Sequence, residues 1–307
     1  MAAIRLGIDI GGTKIEALGL APDGAVTERL RLSTPAGYDD LIAAVRDLVA
    51  KFEAAKGPVV SIGVGAPGSR SPRSGLWRNC NILSCNGRDL GGDLGAALGR
   101  AIRIENDANC FALSEAIGGA AAGKRIVYAL TLGTGLGGGF VCDGVIHTGI
   151  NGTAGEAGHV PMPRPTVEEL GVGPCYCGRI ACAEQFLSGT GFAADHARAT
   201  GRDVPATEVA ALAAAGDPDA VAAAGRLADR LARYGGLLAT LIDPDVIVLG
   251  GGLARMPGLI EAASAAVAHH TFGDEAVAVF AASRFEGYGG ARGAALLWPR
   301  AEAENPA

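Results

Sequence analysis

Three short apolar stretches open the chain, and a pair of glycines separates the first from the second. Ile4 to Ile10 is a β-rich run that ends in Asp9-Ile10-Gly11-Gly12-Thr13-Lys14, and Ile15 to Leu20 resumes the strand pattern. Asp23-Gly24 supplies a hairpin turn, after which Val26 to Leu32 alternates as a third strand. From Tyr38 to Lys56 the apolar positions Leu41, Ile42, Val45, Leu48, Val49 and Phe52 recur at helical spacing, which predicts a helix. Val59 to Val64 reads as a continuous apolar strand closed by Gly65-Ala66-Pro67-Gly68. Ile102 to Ile104 then leads into a helix capped by Asn106 or Asp107.

Val127 to Leu132, the turn Gly133 to Gly138 and the strand Gly139 to Cys142 repeat the opening order of strand, glycine turn and strand. That repetition predicts a diverged internal duplication. Residues 144–183 are rich in Gly, Pro, His and Cys and lack periodicity, so they read as a functional loop region that something other than a core must hold. Helical patterns return over Ala193 to Ala199, Val204 to Ala215 and Asp219 to Leu241. A strand over Asp245 to Leu249 enters Gly250-Gly251-Gly252, and a last helix spans about Gly289 to Leu297. The expected organisation is a first lobe of residues 1–106 plus 289–307 and a second lobe of 107–288.

Composition narrows the function classes. The 307 residues are 49% hydrophobic and 19% charged, with 48 Gly, which fits a compact Ala/Gly-rich globule. A formal charge of -6 and the lack of a Lys/Arg stripe argue against a nucleic-acid partner. Apolar runs are far below the roughly 20 residues of a membrane span, and Met1-Ala2-Ala3-Ile4-Arg5 enters a strand pattern without a leader, so no membrane partner is expected and the cytoplasm is the expected address.

The chemistry concentrates in a few places. A Gly-Gly-Thr-Lys turn between strands lets backbone N–H groups approach a phosphate, and Asp9 beside it would hold Mg²⁺; an ordinary hairpin is the alternative. Gly133-Thr134-Gly135-Leu136-Gly137-Gly138 matches a dinucleotide fingerprint in letters, but a strand follows it where that fingerprint needs a helix. A second phosphate turn is the better account. Gly250-Gly251-Gly252 would let an adenine or ribose lie on bare backbone, or would serve tight strand-to-helix packing. Asp107 is either a helix cap or a general base that takes a hydroxyl proton during attack on a γ-phosphate.

Seven cysteines is an odd number, and Cys175, Cys177 and Cys182 fall within eight positions, with His159 ahead of them. A Cys₃His set leaves no open position for water, which describes a structural zinc. Cys80, Cys85, Cys110 and Cys142 read as packing residues. Glu156 and Glu184 bracket the knuckle, so a metal that orders it would also aim these carboxylates at sugar hydroxyls.

Taken in order, these motifs resemble the ROK family, which comprises bacterial sugar kinases and related repressors. The resemblance runs through Asp9 to Lys14, Gly65 to Gly68, Glu105-Asn106-Asp107-Ala108-Asn109, Gly133 to Gly138, Glu156-Ala157-Gly158-His159, Cys175-Tyr176-Cys177-Gly178 and Gly250 to Gly252. It implies an α/β actin-like ATPase (duplicated ribonuclease H-like) fold of two lobes, with ATP in the interlobe cleft and Asp107 as base. It also implies zinc on His159, Cys175, Cys177 and Cys182, and sugar contacts at Asn81, Asn106, Asp107, Glu156, His159 and Glu184. Nucleotide contacts would fall at Asp9, Gly11, Gly12, Thr13, Lys14, Gly133, Thr134, Gly135, Gly137, Gly250, Gly251 and Gly252. One departure stands out: Ala181 precedes Cys182 where the family usually has Gly, and Ala183 follows where a larger apolar residue is usual.

Asn79-Cys80-Asn81, Gly152 to Glu156 and Phe186 to Phe192 look most like bacterial fructokinases with some mannokinase activity. The resemblance therefore implies ATP-dependent phosphorylation of a hexose 6-hydroxyl, D-fructose first, with mannose also accepted. N-acetylglucosamine kinase and glucokinase are the alternatives, and a homodimer is the expected assembly. A sugar-responsive repressor is the reading from another class; the phosphate turn begins at Asp9, which leaves little chain ahead of it for a helix-turn-helix.

Overall fold

The computed structural model describes residues 3–273 and 277–299. Positions 300–307 of the expected first lobe and 274–276 of the second lie outside the described residues. Contacts divide the chain into two compact units. The first is Met1–Ile117 with Ile146–Ala154 and Gly287–Ala307, and the second is Gly118–Val145 with Gly155–Glu286.

The first unit contains strands β1 (Arg5–Ile10), β2 (Lys14–Leu20) and β3 (Val26–Ser33), helix α1 (Tyr38–Lys56), and β4 (Ser61–Ala66). A short hairpin of β5 (Ser69–Arg70) and β6 (Trp77–Arg78) follows, then α2 (Leu90–Leu98), β7 (Arg103–Asn106) and α3 (Asp107–Ala116). Its sheet runs β3-β2-β1-β4-β7, antiparallel on the β2 and β3 side and parallel towards β7. Because side chains alternate across a strand, Leu6, Ile8 and Ile10 share one face. There they enter a core with Leu41, Val45, Leu48 and Phe52 of α1. The apolar spacing that predicts α1 is thus the spacing that buries it.

In the second unit β8 (Ile126–Leu132) and β9 (Leu136–Cys142), with β10 (Val145–Ile146) where the chain leaves that unit, precede α4 (Val167–Leu170), α5 (Glu184–Leu187), α6 (Gly189–Thr200), α7 (Ala206–Ala214) and α8 (Pro218–Leu241). Then come β11 (Val246–Gly250), α9 (Leu259–Ala266) and β12 (Phe280–Ala282). The sheet order β10-β9-β8-β11-β12 repeats the first sheet's plan, with β8 antiparallel to β9 and parallel to β11. The turn after β8 is shorter than its glycine content predicts. Gly137, Gly138 and Gly139 already pair with Thr131, Leu130 and Ala129 inside β9. A Cβ on Gly138 would overlap the Gly155 carbonyl oxygen, so these glycines serve close backbone approach as well as turning.

The aperiodic stretch ahead of the cysteines is held by buried charge. Arg233 of α8 donates to the carbonyls of Pro163 and Arg164 and to both oxygens of Glu169, while Arg230 bonds Glu169 Oε1 at 2.7 Å and Asp195 Oδ1 at 2.9 Å. Burial pushes the Glu169 carboxyl up, but the two guanidiniums outweigh it and bring the group down to about 2. A capping box between Thr166 and Glu169 closes the start of α4.

The chain ends with α10 (Gly289–Ala295) back in the first unit. Its small residues have a direct cause. A Cβ on Gly7 would overlap the Ala291 carbonyl oxygen, one on Gly63 that of Ala294, and one on Gly293 that of Cys110. The helix therefore lies almost backbone to backbone on β1, β4 and α3, on the β1 face opposite Leu6 and Ile8. Asp9 emerges on that same face, with Gly290 against its carboxylate. Through α10, helix α3 and its first residue Asp107 are packed with the first unit.

Candidate active site

Asp107 begins α3, directly after β7 has paired with β4. The cap is Asn106: its Oδ1 accepts the Ala108 and Asn109 N–H groups, and its Nδ2 donates to the Gly68 carbonyl at 3.0 Å. Most of the Asn106 side chain is therefore spent on backbone, and its effect is to fix the turn that presents Asp107. Asp107 Oδ1 accepts the Ala108 N–H at 2.8 Å. Burial raises its pKa against the lowering effect of that backbone donor.

Asp9 lies near enough for the two carboxylates to repel. Burial first, then the charges of Asp107 and Glu16, push Asp9 up to about 7, with Lys14 opposing. Two carboxyl groups crowded in this way favour a cation between or beside them. The turn after Asp9 is closed by the Gly11 N–H to the Lys14 carbonyl at 2.9 Å and by Thr34 Oγ1 donating to the Gly11 carbonyl at 2.6 Å. Asn81 faces this turn, since a Cβ on Gly12 would stand 3.9 Å from its Oδ1. Asn86 braces the Asn81 loop by bonding both the N–H and the carbonyl of Cys80 at 2.9 Å. The first unit thus gathers Asp9, Gly11 to Lys14, Asn81, Asn106 and Asp107 around one glycine turn.

The second unit makes a comparable cluster. Thr190 Oγ1 and the Gly189 N–H donate to the carbonyls of Thr134 and Gly133, which pins the Gly133-Thr134-Gly135 turn to the start of α6. Gly251 has φ +85°, and a Cβ there would press on Leu132 and Gly133, so the Gly250 to Gly252 bend lies beside that turn. Gly252 opens onto free space. Glu184 Oε2 accepts the Leu136 N–H at 3.1 Å, tying a candidate sugar carboxylate to the same turn. Glu156 and His159 are both half-buried in this unit.

His159, Cys175, Cys177 and Cys182 converge, with their donor atoms all within 4.8 Å of one another. His159 Nδ1 is 3.8 Å from Cys175 Sγ, and the Cys177 and Cys182 sulfurs are 3.5 Å apart. Tetrahedral zinc with Zn–S of about 2.3 Å and Zn–N of about 2.0 Å sets such edges at roughly 3.5–3.8 Å, so the residues fit the ion in chemistry and spacing. Sequence spacing alone did not disclose Tyr176, whose hydroxyl lies 2.8 Å from His159 Nε2. Its position between two cysteines of the cluster was the one available signal.

The ROK family profile matches residues 5–301. The N-acetyl-D-glucosamine kinase of Photobacterium profundum is 38% identical over 302 residues, covering 95% of this chain and 98% of that protein. The chain belongs to the ROK family. Among solved structures, the ROK hexokinase of Thermus thermophilus superposes with a TM-score of 0.83 at 32% identity, covering 95% of this chain and 97% of that one. A ROK glucokinase from Streptomyces griseus, solved with glucose and AMPPNP, gives 0.80 at 28% identity, covering 96% and 98%. With the two similarly ordered sheets, these neighbours establish the actin-like ATPase fold.

The ROK departure at Ala181 has a structural consequence. Ala181 has φ +55°, in the left-handed region that glycine occupies without a Cβ penalty. It is buried, and its carbonyl accepts the Met162 N–H at 2.8 Å just before Cys182. Ala181→Gly is therefore expected to stabilise the protein by about 0.5–1 kcal/mol, net of glycine's greater unfolded-state entropy. A rise of roughly 1–3 °C in Tm, measured by calorimetry, checks it; a fall would show that the methyl's packing outweighs the backbone strain.

Proposed function

We propose that this ROK protein is an ATP-dependent hexose kinase that phosphorylates the sugar 6-hydroxyl, with Asp107 as general base. The observation that carries the reading is Asp107 itself: a half-buried carboxylate of raised pKa, fixed by the Asn106 cap and next to Asp9 and the first glycine turn. A carboxylate whose pKa is raised by burial takes up a proton more readily than an exposed one, which suits a general base. As the 6-hydroxyl oxygen forms its bond to the γ-phosphorus, its proton passes to Asp107, and the bond from that phosphorus to the β–γ bridging oxygen breaks to release ADP. Mg²⁺, when bound at Asp9, would neutralise phosphate charge. Gly11 to Lys14, Gly133 to Gly135 with Gly137, and Gly250 to Gly252 are assigned to the nucleotide. Asn81, Asn106, Asp107, Glu156, His159 and Glu184 are assigned to the sugar. The His159, Cys175, Cys177 and Cys182 cluster is assigned to a structural zinc that orders the sugar carboxylates of its unit.

For the sugar, the relative at 38% identity over 95% of the chain favours N-acetyl-D-glucosamine. D-fructose is the second reading, on the strength of the stretches around Asn81, Glu156 and Phe186 to Phe192. A kinetic panel of N-acetyl-D-glucosamine, D-fructose, mannose and glucose decides between them. Absence of sugar-dependent ADP release with all four would sink the kinase reading. A homodimer in the cytoplasm completes the proposal. No helix among the described residues is long and apolar enough to cross a membrane.

A further inference from the structure

His159 has two ring nitrogens and, in the reading above, two duties. Nδ1 faces the thiols, 3.8 Å from Cys175 Sγ, which commits it to the metal. A sugar hydroxyl is left with Nε2. That nitrogen is already taken: Tyr176 Oη lies 2.8 Å away, and the Tyr176 ring stands edge-on to the imidazole at 85° with centroids 5.0 Å apart. A metal held on Nδ1 would leave Nε2 the single N–H of the neutral ring, and the bond would then run from Nε2–H to Oη. One N–H directed at a tyrosine oxygen does not serve a second acceptor equally well.

Tyr176 is 81% exposed, so packing does little to hold it and the His159 contact is its anchor. We propose that Tyr176 is a specificity-determining residue that closes His159 Nε2 in the sugar-free protein and yields it when a hexose hydroxyl arrives. Binding then exchanges one neutral hydrogen bond for another, and the sugar must compete with a tethered phenol. Hexoses that present a good acceptor to Nε2 displace it; those that do not meet an occupied donor. This inference rests on the assignment of His159 to the sugar.

Tyr176→Phe keeps the ring and removes the competitor. The expected result, with N-acetyl-D-glucosamine and with D-fructose, is a three- to tenfold fall in KM for the accepted hexose. kcat should hold within about twofold, and KM for ATP and bound zinc should not change. Loss of a merely structural contact would not tighten sugar binding. In parallel, adding hexose to the wild-type protein should give a tyrosine difference absorbance that the variant lacks, while calorimetry reports the binding itself. A raised or unchanged KM in the variant, or calorimetric binding without the tyrosine signal, overturns the role of Tyr176 and leaves the kinase reading intact. Absence of calorimetric binding for both sugars overturns the two together.

Discussion

Asp107→Asn is expected to lower kcat about 10²–10⁴-fold, the range a positioned base contributes, while hexose KM changes little. The substitution is close to isosteric. The amide oxygen still accepts the Ala108 N–H, and Asn106 still caps α3 through Ala108 and Asn109, so the local fold is retained. What disappears is the proposed proton acceptor. The substitution also removes a negative charge that pushes Asp9 up, so Asp9 ionises more readily in the variant. Any help this gives a cation works against the loss, which makes a large fall in kcat the more telling. Steady-state kinetics at several pH values, with circular dichroism to verify folding, is the measurement. Turnover near wild type would reduce Asp107 to a helix-initiating residue.

Much of that site was legible because its parts are local. The Asp9 to Lys14 turn, the Asn106-Asp107 helix start and the Cys175-Tyr176-Cys177 knuckle each depend on a few adjacent residues whose backbone requirements show in their letters. The amphipathic spacing from Leu41 to Phe52 delimits α1 for the same reason: one face meets the sheet. Helix α2 was less visible, because three glycines in Leu90–Leu98 dilute its period, and Asp89 capping the Gly92 N–H is the signal that remains. The allegiance of α3 depends on Gly293 meeting the Cys110 carbonyl, a contact between residues far apart in the chain. Ile146–Ala154 groups with the first unit through bonds such as Arg78 Nη2 to the Asn151 carbonyl, which no periodicity announces. The clamp on residues 163–169 is of the same kind: Arg230 and Arg233 look like the polar face of an amphipathic helix until Glu169 is seen between them.

Cys177→Ser is expected to release the proposed zinc and to lower Tm by about 10 °C. Metal-coupled folding energy at a closed site is large, and a loss of about 3–5 kcal/mol corresponds to that shift at this chain length. Cys177 is the ligand to change because it is only half-buried. Cys182 is fully buried between Ala181 and Ala183 of the second unit's core, so altering it would confound packing with ligation. In the variant Cys182 loses the Cys177 sulfur that lies 3.5 Å from its own, and His159 loses the metal that would orient its Nδ1. Residues 163–169 stay clamped by Arg230 and Arg233, so the damage should be confined to the knuckle and to Glu184, two positions beyond Cys182. Hexose KM should therefore rise by more than KM for ATP. Chelation of the wild-type protein should reproduce both effects, and metal analysis should find one zinc per chain before treatment and none in the variant. Wild-type protein that holds no zinc as purified, or a Cys177→Ser protein that melts and turns over like wild type, would show that the four donor atoms converge without a metal to hold.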